Sequence, residues 1–278
     1  EKAKIKKIVE NLDIEAVEIR TRESEDVKEY LQDLKFEIIK LDFPPELDKI
    51  RILLKKNYDK KIEELKNRKL LFMPPTKRYL LECQHKIMRA ISAGNKNFNL
   101  LLGASACAQV IKLGHLLELL ETQTLTSSQL YMQDLFDQAA SKKSKAVQNL
   151  VKQPEFNQAY IKLTELIARK IEHPKLIKLK EIVEKEITSN PKIKIIIFAQ
   201  YRNTVTKIAK TLNEIQGINA RVFVGQAKKA GEENSGLSQK EQQEVIREFS
   251  LGKINILAAT SIGEEGLDIP EVNAVVFY

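Results

Sequence analysis

The sequence has no tryptophan, three histidines and two cysteines, and these shortages restrict its chemistry. Cys83 and Cys107 lie in helix-like stretches, so we expect buried thiols in a reducing compartment and neither a disulfide nor a metal site. His85, His115 and His173 show no metal-ligand spacing. A disulfide-stabilised scaffold and a histidine-based metal site are therefore both disfavoured.

Long apolar runs are also missing. A membrane-spanning helix needs roughly 20 consecutive apolar residues, and the leucine-rich stretch Leu100–Thr122 looks too short and too polar in its middle. The opening segment EKAKIKKIVE contains no apolar core of a signal peptide. We therefore expect an intracellular protein with no membrane partner.

Three phosphoryl-transfer motifs are absent from the sequence: a Gly-x-x-x-x-Gly-Lys phosphate loop, an Asp-Glu-x-His acid pair and a Gln-x-x-Gly-Arg-x-x-Arg arginine motif. Phosphoryl transfer needs a phosphate cradle, a metal-holding acid and charge-stabilising arginines. A Glu-Arg-Lys nuclease signature is absent as well. These residues by themselves are therefore not expected to hydrolyse ATP or to cut nucleic acid.

The net charge of +8 is unevenly distributed. Residues 51–170 carry 21 Lys and Arg against 10 Asp and Glu, a net +11, whereas the remainder carries 25 against 28, a net −3. A basic block beside a near-neutral part is typical of a protein with a polyanionic partner, most simply nucleic acid. The alternative is an ordinary lysine-rich solvated surface, and charge alone leaves it open.

Hydrophobic periodicity divides the chain into three predicted domains, residues 1–46, 47–174 and 175–278. In the first, we predict strands over Ala16–Ile19 and Phe36–Leu41, separated by a helix over Ser24–Leu34. Pro44-Pro45 marks a break.

The second domain is predicted to be an all-helical bundle. A basic loop or helix start over Ser141–Lys145 lies between its last two helices. No series of aromatic residues is interleaved with the basic residues of this domain. Phosphate contacts through Lys142, Lys143 and Lys145 are therefore favoured over base stacking. The predicted helices cover Leu47–Met73, Thr76–Gly94, Leu100–Thr122, a stretch capped by Thr126 or Ser127 and ending at Ala140, and Phe156–Ile171.

The third domain alternates strands and helices, which predicts a parallel sheet. Its predicted strands are Ile193–Phe198, which is continuously apolar, Ala220–Val224, a run from Ile254 to Ala259 and Ala274–Phe277, and the last two are expected to be buried. Polar residues follow the first three strands, where parallel sheets bind ligands. They comprise Gln200, Tyr201 and Arg202, then Gly225, Gln226, Lys228 and Lys229, then the segment from Thr260 to Pro270.

A helix over Ser238–Phe249 follows the second of these loops. Ser238 and Glu241 have the spacing of a capping box. Because the first backbone amides of a helix point outward, its N-terminus is also predicted to bind an anion.

Five segments of the third domain resemble one family. FAQYR, FVGQA, GLSQKEQ, ATSIGEEGLDIP and VVFY occur in this order, and they are similar to the second motor domain of the superfamily 2 helicases archaeal Hef and eukaryotic FANCM. The bundle lies where that family has a thumb-like insertion, and the HLLELLETQ stretch resembles it as well. The resemblance implies a RecA-like parallel-sheet domain plus an all-helical insertion. Residues 1–46 would be the C-terminal end of the first RecA-like motor domain, most of which is missing from this sequence.

The resemblance also implies roles for particular residues. Thr260 and Gln242 would contact the nucleic-acid backbone, with Arg202 and Gln226 as further candidates and Lys228 supplying charge. Gly266 and Asp268 would face the nucleotide when the two motor domains close. The complete protein would use ATP and Mg²⁺, with neither expected to be bound by this fragment.

The partners that the resemblance implies are forked or branched DNA and the missing first motor domain, with room for a nuclease domain or nuclease partner. The location would be cytoplasmic in an archaeon and nuclear in a eukaryote. Two alternatives stay open. One is a non-catalytic nucleic-acid-binding module with a degenerate motor half. The other is an RNA helicase related to RIG-I, since RIG-I-like helicases have a segment similar to ATSIGEEGLDIP and a helical insertion.

Overall fold

The computed structural model describes residues 2–21, 23–28, 35–95, 97–225, 236–260 and 271–278. The chain divides into two compact units, residues 1–40 and residues 41–278. The larger unit contains both a helical bundle and a parallel sheet.

The smaller unit has little regular structure in its described part. Its helices are α1 (Lys2–Asn11) and α2 (Glu25–Lys28). The predicted strands Ala16–Ile19 and Phe36–Leu41 are extended segments that pair with no strand among the described residues, so this prediction was wrong. An apolar stretch becomes a strand only where a neighbour takes its backbone hydrogen bonds.

The described part of the bundle contains six helices. They are α3 (Pro45–Asn67), α4 (Lys77–Ser92), α5 (Phe98–Thr122), α6 (Leu125–Ala140), α7 (Lys145–Val151) and α8 (Pro154–Ala168). Of these, α3, α4, α6 and α7 pack around the central helix α5. The sequence did not predict α7 as a helix of its own. The N-cap of α6 also differs from the prediction. Thr126 or Ser127 was predicted, but the cap is Thr124, whose hydroxyl accepts a hydrogen bond from the backbone amide of Ser127.

The central helix α5 is 25 residues long and apolar enough to cross a membrane by length and composition alone. The expectation that it is too short was therefore wrong. In the bundle, however, α3, α4, α6 and α7 pack against it, and Val110, Leu113 and Leu116 are buried between them. Its apolar character is accounted for by its place at the centre of the bundle.

The bundle has two apolar clusters. The cluster nearer the sheet is built around Leu54, Leu113 and Phe156, and the distal cluster holds both cysteines. Cys83 and Cys107 are free and buried, as predicted, and their thiols donate to the carbonyls of Leu70 and Leu80.

Three bundle helices end in a lysine with a left-handed backbone. Lys69, Lys142 and Lys170 have φ values of 55°, 54° and 57° and follow the C-terminal caps of α3, α6 and α8. Glycine is the usual residue at this position because it has no Cβ to clash.

The sheet contains β1 (Ile195–Phe198), β2 (Ala220–Phe223), β3 (Ile256–Ala259) and β4 (Ala274–Phe277), all parallel, in the order β2-β3-β1-β4. Helices α9 (Pro174–Ser189) and α10 (Arg202–Leu212) pack with one set of strand residues, and α11 (Gln239–Ser250) packs with the other. The predicted parallel sheet covered on both faces is therefore confirmed for β1 and β3.

Strand β4 is less buried than β1 and β3. It was predicted to be buried, but Val275 is 46% exposed and Phe277 is 74% exposed. Among the described residues, α11 packs with Ile196, Phe223 and Leu257 and does not cover the outer face of β4. The strand therefore buries only alternate residues, and this part of the prediction was wrong.

Leu113→Ala tests the central position of α5. Leu113 is fully buried at 0% exposure, so truncation should lower the free energy of unfolding by about 2–5 kcal/mol. Leu101 on the same helix is 46% exposed, and Leu101→Ala should cost less than about 1 kcal/mol. Urea unfolding of both variants measures the difference, and similar losses would contradict this packing.

His173→Asn tests a pH dependence of stability. Burial, with Lys175 adding to it, lowers the pKa of His173 to about 4, so the folded chain keeps this imidazole neutral while the unfolded chain protonates it below pH 6.5. The contribution of His173 to the free energy of unfolding should therefore be fully present above about pH 7, and the free energy should be about 2 kcal/mol lower at pH 5.

Asn is a suitable substitute because the imidazole Nδ1 caps α9 by accepting the amide of Lys175 at 3.2 Å, and Asn caps helices well. Urea unfolding at pH 7 and pH 5 should show a smaller acid-induced loss in the variant. An equal loss in both proteins would show that His173 is not responsible.

Candidate nucleic-acid interface

The ends of three strands meet at one edge of the sheet, which we call the carboxyl edge. Phe198 and Phe223, the last residues of β1 and β2, are both in register with Ala259, the last residue of β3. The amide of Ala199 donates to the carbonyl of Ala259 at 2.9 Å, and the amide of Thr260 donates to the carbonyl of Phe223 at 3.2 Å. The segments after these strands therefore start side by side.

Arg202 and Gln242 both hold the segment that follows β2. The guanidinium of Arg202 donates to the carbonyl of Gly225 at 3.2 Å, and the side-chain Nε2 of Gln242 donates to the carbonyl of Val224 at 2.9 Å. These two predicted nucleic-acid residues come from different helices, and the structure brings them to consecutive carbonyls. Both side chains are half-buried, so they hold the backbone of this segment in place and also form part of the surface of the edge.

Thr260 is the third predicted residue at this edge. It follows β3 directly and is 5% exposed. Its hydroxyl is buried and has no hydrogen-bond partner within the described part of the chain. A buried hydroxyl without a partner is uncommon, and one at a strand end can hydrogen-bond an incoming ligand.

Four predicted residues lie outside the described residues: Gln226 and Lys228 after β2, and Gly266 and Asp268 after β3. Their roles stay predictions.

The N-terminus of α11 does not fit the predicted anion site well. The capping box is present, with the amide of Ser238 donating to the Glu241 carboxylate at 2.7 Å and the amide of Glu241 donating to the Ser238 hydroxyl at 3.4 Å. Two outward amides are thus already bonded, and the carboxylate places negative charge where an anion would bind.

Tyr201 points away from the predicted phosphate position and packs against the bundle. Its ring meets the His115 ring edge-on at 5.5 Å, and His115 meets Tyr131 in the same way at 4.7 Å. Burial, the charge of Glu118 and a hydrogen bond to it raise the pKa of Tyr201. Glu118 also lies 3.4 Å from the Lys77 ammonium. Tyr201 is therefore a packing residue between the sheet and the bundle.

A buried polar cluster joins α10 to the start of α6. The hydroxyl of Thr204 donates to Gln123 Oε1 at 2.8 Å and lies 3.2 Å from Ser127 Oγ, which lies 2.8 Å from Thr124 Oγ1. All four residues are at most 4% exposed. The sequence contained a signal for this cluster, the polar run TQTLTSSQ between two apolar helices, whose second role as an interdomain contact was missed.

Charged residues extend this contact along α10 and α9. Lys207 forms an ion pair with Glu172, and the ammonium of Lys175 donates to the carbonyl of Thr122 at 3.1 Å. The same ammonium lies 4.5 Å from the centre of the Tyr278 ring, and burial lowers the pKa of Lys175. We call the contacts of Tyr201, Thr204 and Lys207 with the bundle the junction.

Three predicted lysines of the second domain lie at the end of α6 that is away from the junction. Lys142, Lys143 and Lys145, which we call the basic turn, are exposed between α6 and α7. Helix α6 starts at the junction and ends at the basic turn, so at 1.5 Å per residue they are about 22 Å apart. The predicted residues therefore form two separate surfaces.

The described residues do not build a metal site. Within them, no group of three or more His, Cys, Asp and Glu side chains is placed to hold a metal ion. The observed donors at the carboxyl edge are amide, guanidinium and hydroxyl groups, which suit phosphate oxygens rather than Mg²⁺.

Two family models match the chain. One, described as "Helicase conserved C-terminal domain", matches residues 175–278, and the other, described as "Putative ATP-dependent RNA helicase, helical bundle", matches residues 46–168. The sheet domain is RecA-like, as the sequence predicted.

Curated relatives match along 99% of this chain. They include the "Putative ATP-dependent RNA helicase MJ1505" of Methanocaldococcus jannaschii, 35% identical over 277 residues. The "ATP-dependent DNA helicase mph1" of Sclerotinia sclerotiorum is 30% identical over 295 residues, and the "DEAD-box ATP-dependent RNA helicase FANCM" of Arabidopsis thaliana is 29% identical over 283. The chain spans only 33%, 24% and 20% of the lengths of these three relatives.

A solved structure shares the fold. The Pyrococcus furiosus Hef helicase domain matches with a TM-score of 0.78 and 34% sequence identity, over 99% of this chain and 56% of that one. Taken together, these matches show that the chain contains a helicase C-terminal domain and a helicase helical bundle and that its homologues are the Hef, FANCM and Mph1 helicases.

Proposed function

We propose that this chain is the DNA-binding part of an ATP-dependent helicase or translocase that remodels forked or branched DNA. The observation that carries the proposal is the meeting of Arg202, Gln242 and Thr260 at one edge of a RecA-like sheet. Guanidinium, amide and hydroxyl groups bind phosphate oxygens, which suits contact with a nucleic-acid backbone. The basic turn supplies a second phosphate-binding surface.

In this proposal the complete protein uses ATP and Mg²⁺. Gly266 and Asp268, outside the described residues, are the positions at which this chain would face the nucleotide. The first motor domain would supply the phosphate loop and the metal-holding acids that the sequence lacks. This polypeptide alone should therefore bind DNA without hydrolysing ATP.

The other partners and the location are part of the same proposal. A nuclease domain or nuclease partner would act on the remodelled fork, and no membrane is involved. Because relatives of this chain are named DNA helicases, we place the protein in the compartment that contains DNA, the cytoplasm of an archaeon or the nucleus of a eukaryote.

Two other functions compete with this one. RNA remodelling is favoured by the printed names of two relatives, which call them RNA helicases. A non-catalytic binding module is the other. We favour DNA because the Glu-Glu-Gly-Leu-Asp and FVGQA segments resemble Hef and FANCM. A binding competition between DNA and RNA forks of identical sequence separates DNA remodelling from RNA remodelling.

Neutralising the basic turn should weaken DNA binding and its salt dependence. Each lost phosphate contact lowers the slope of log K against log salt by about 0.9, so Lys142→Gly, Lys143→Gln and Lys145→Gln together should lower it by up to about 2.7. Fluorescence anisotropy with forked, duplex and single-stranded probes across a salt series measures the slope.

The matched control removes three lysines from α9, Lys178, Lys180 and Lys185, which changes the net charge by the same amount. Its slope should change much less. Equal effects of the two triple variants would mean that binding follows net charge and that the basic turn has no special role.

Thr260→Val should separate binding from stability. Because the buried hydroxyl has no partner among the described residues, its replacement by a methyl group should change the free energy of unfolding by less than about 1 kcal/mol. Loss of a hydrogen bond to a charged phosphate should weaken DNA binding roughly tenfold. Thr260→Ser keeps the hydroxyl and should bind normally, whereas unchanged binding by Thr260→Val would remove Thr260 from the interface.

The purified chain should show no ATPase activity, with or without forked DNA. A coupled assay for phosphate release is sufficient, with an intact relative containing both motor domains as the positive control. Turnover that persists through purification and disappears in Asp268→Ala would contradict this part of the proposal.

A further inference from the structure

One side of α10 contacts the bundle. Tyr201, Thr204 and Lys207 are three residues apart, which places them along one side of a helix. Tyr201 packs on His115, Thr204 bonds Gln123, and Lys207 pairs with Glu172. The contact therefore runs the length of two helical turns rather than meeting at a point.

The buried part of this contact is directional. Thr204 is 0% exposed, and its hydroxyl lies within hydrogen-bond distance of both Gln123 and Ser127. Apolar surfaces can slide past each other at little cost, whereas a shifted hydroxyl would leave buried oxygens without partners. The junction therefore fixes one orientation of the bundle on the sheet.

The same helix also reaches the carboxyl edge. Arg202, the first residue of α10, bonds the carbonyl of Gly225, whereas its neighbour Tyr201 faces the bundle. From the junction, α6 extends about 22 Å to the basic turn. Rigid elements thus connect the two surfaces that the proposed function assigns to DNA.

We propose that the junction holds the carboxyl edge and the basic turn at a fixed spacing, so that the chain binds one DNA arm at two places at once. Thr204 and Ser127 act as positioning residues, since they set the spacing without touching DNA. This inference rests on the proposed function, because it requires both surfaces to bind phosphates.

The spacing predicts a length requirement. Arg202 at the carboxyl edge is the neighbour of Tyr201 at the junction, so the length of α6, about 22 Å, sets the scale of this spacing, on the order of six base pairs at 3.4 Å per base pair. A shorter arm reaches one surface only. A longer arm reaches both, and the second contact then forms at the high effective concentration of a tethered site. Affinity should rise at least tenfold across this length, beyond the gradual rise from additional overlapping positions.

The experiment uses the whole chain and hairpin-capped DNA duplexes from about four to about twenty base pairs, with dissociation constants from anisotropy at low salt. Thr204→Val combined with Ser127→Ala removes the two hydroxyls of the junction without changing any charge. This variant should bind short duplexes within about twofold of the unmodified chain and lose most of the gain on long ones. Thr204→Ser alone should keep the gain.

Ile87→Val is the matched control, because Ile87 is buried in the distal cluster of the bundle, away from both the junction and the basic turn. It should lower stability yet keep the length dependence, and urea unfolding at the binding temperature confirms that each variant is folded. A smooth rise in affinity with length, or a full step retained by Thr204→Val with Ser127→Ala, overturns the fixed-spacing inference alone. Failure of every duplex to bind at low salt overturns the proposed function itself.

Discussion

The hydrogen bonds of Thr204 with Gln123 and Ser127 are the contacts on which the arrangement of the larger unit depends. They lie where the bundle meets the sheet, and their oxygens are shielded from water. Elsewhere the two parts have separate apolar cores, one around α5 and others on the two faces of the sheet. Without a directional contact, the relative orientation of these parts would be poorly determined, because apolar surfaces accept many orientations.

Much of the sheet domain could be predicted from the sequence. Its strands are short apolar runs, and alternation with helices implies parallel pairing, so the meeting of Arg202 and Thr260 at one edge followed from chain order alone. The direction of Tyr201 did not follow, because a residue just past a strand end can face the ligand or a neighbouring domain. Its partner His115 is distant in sequence and part of the other domain.

The remaining errors came from choices that depend on distant residues. Ala16–Ile19 and Phe36–Leu41 have strand composition, but a strand also needs a partner, and the described residues provide none. For the cap of α6, the sequence has hydroxyl residues at 124, 126, 127 and 128, each able to cap. Thr124 is the cap in the structure, and Ser127 is bonded across the junction instead.

At the ends of α3, α6 and α8, a lysine occupies a left-handed backbone conformation that glycine would adopt with less strain, and it adds a positive charge to the surface. A non-glycine residue in this conformation costs about 1 kcal/mol relative to glycine, although an ammonium near a helix C-terminus recovers part of this through the helix dipole. Lys69, Lys142 and Lys170 together supply three of the positive charges of the basic block. A version of this bundle with glycine at these three ends would therefore gain backbone stability and lose three positive charges from its surface.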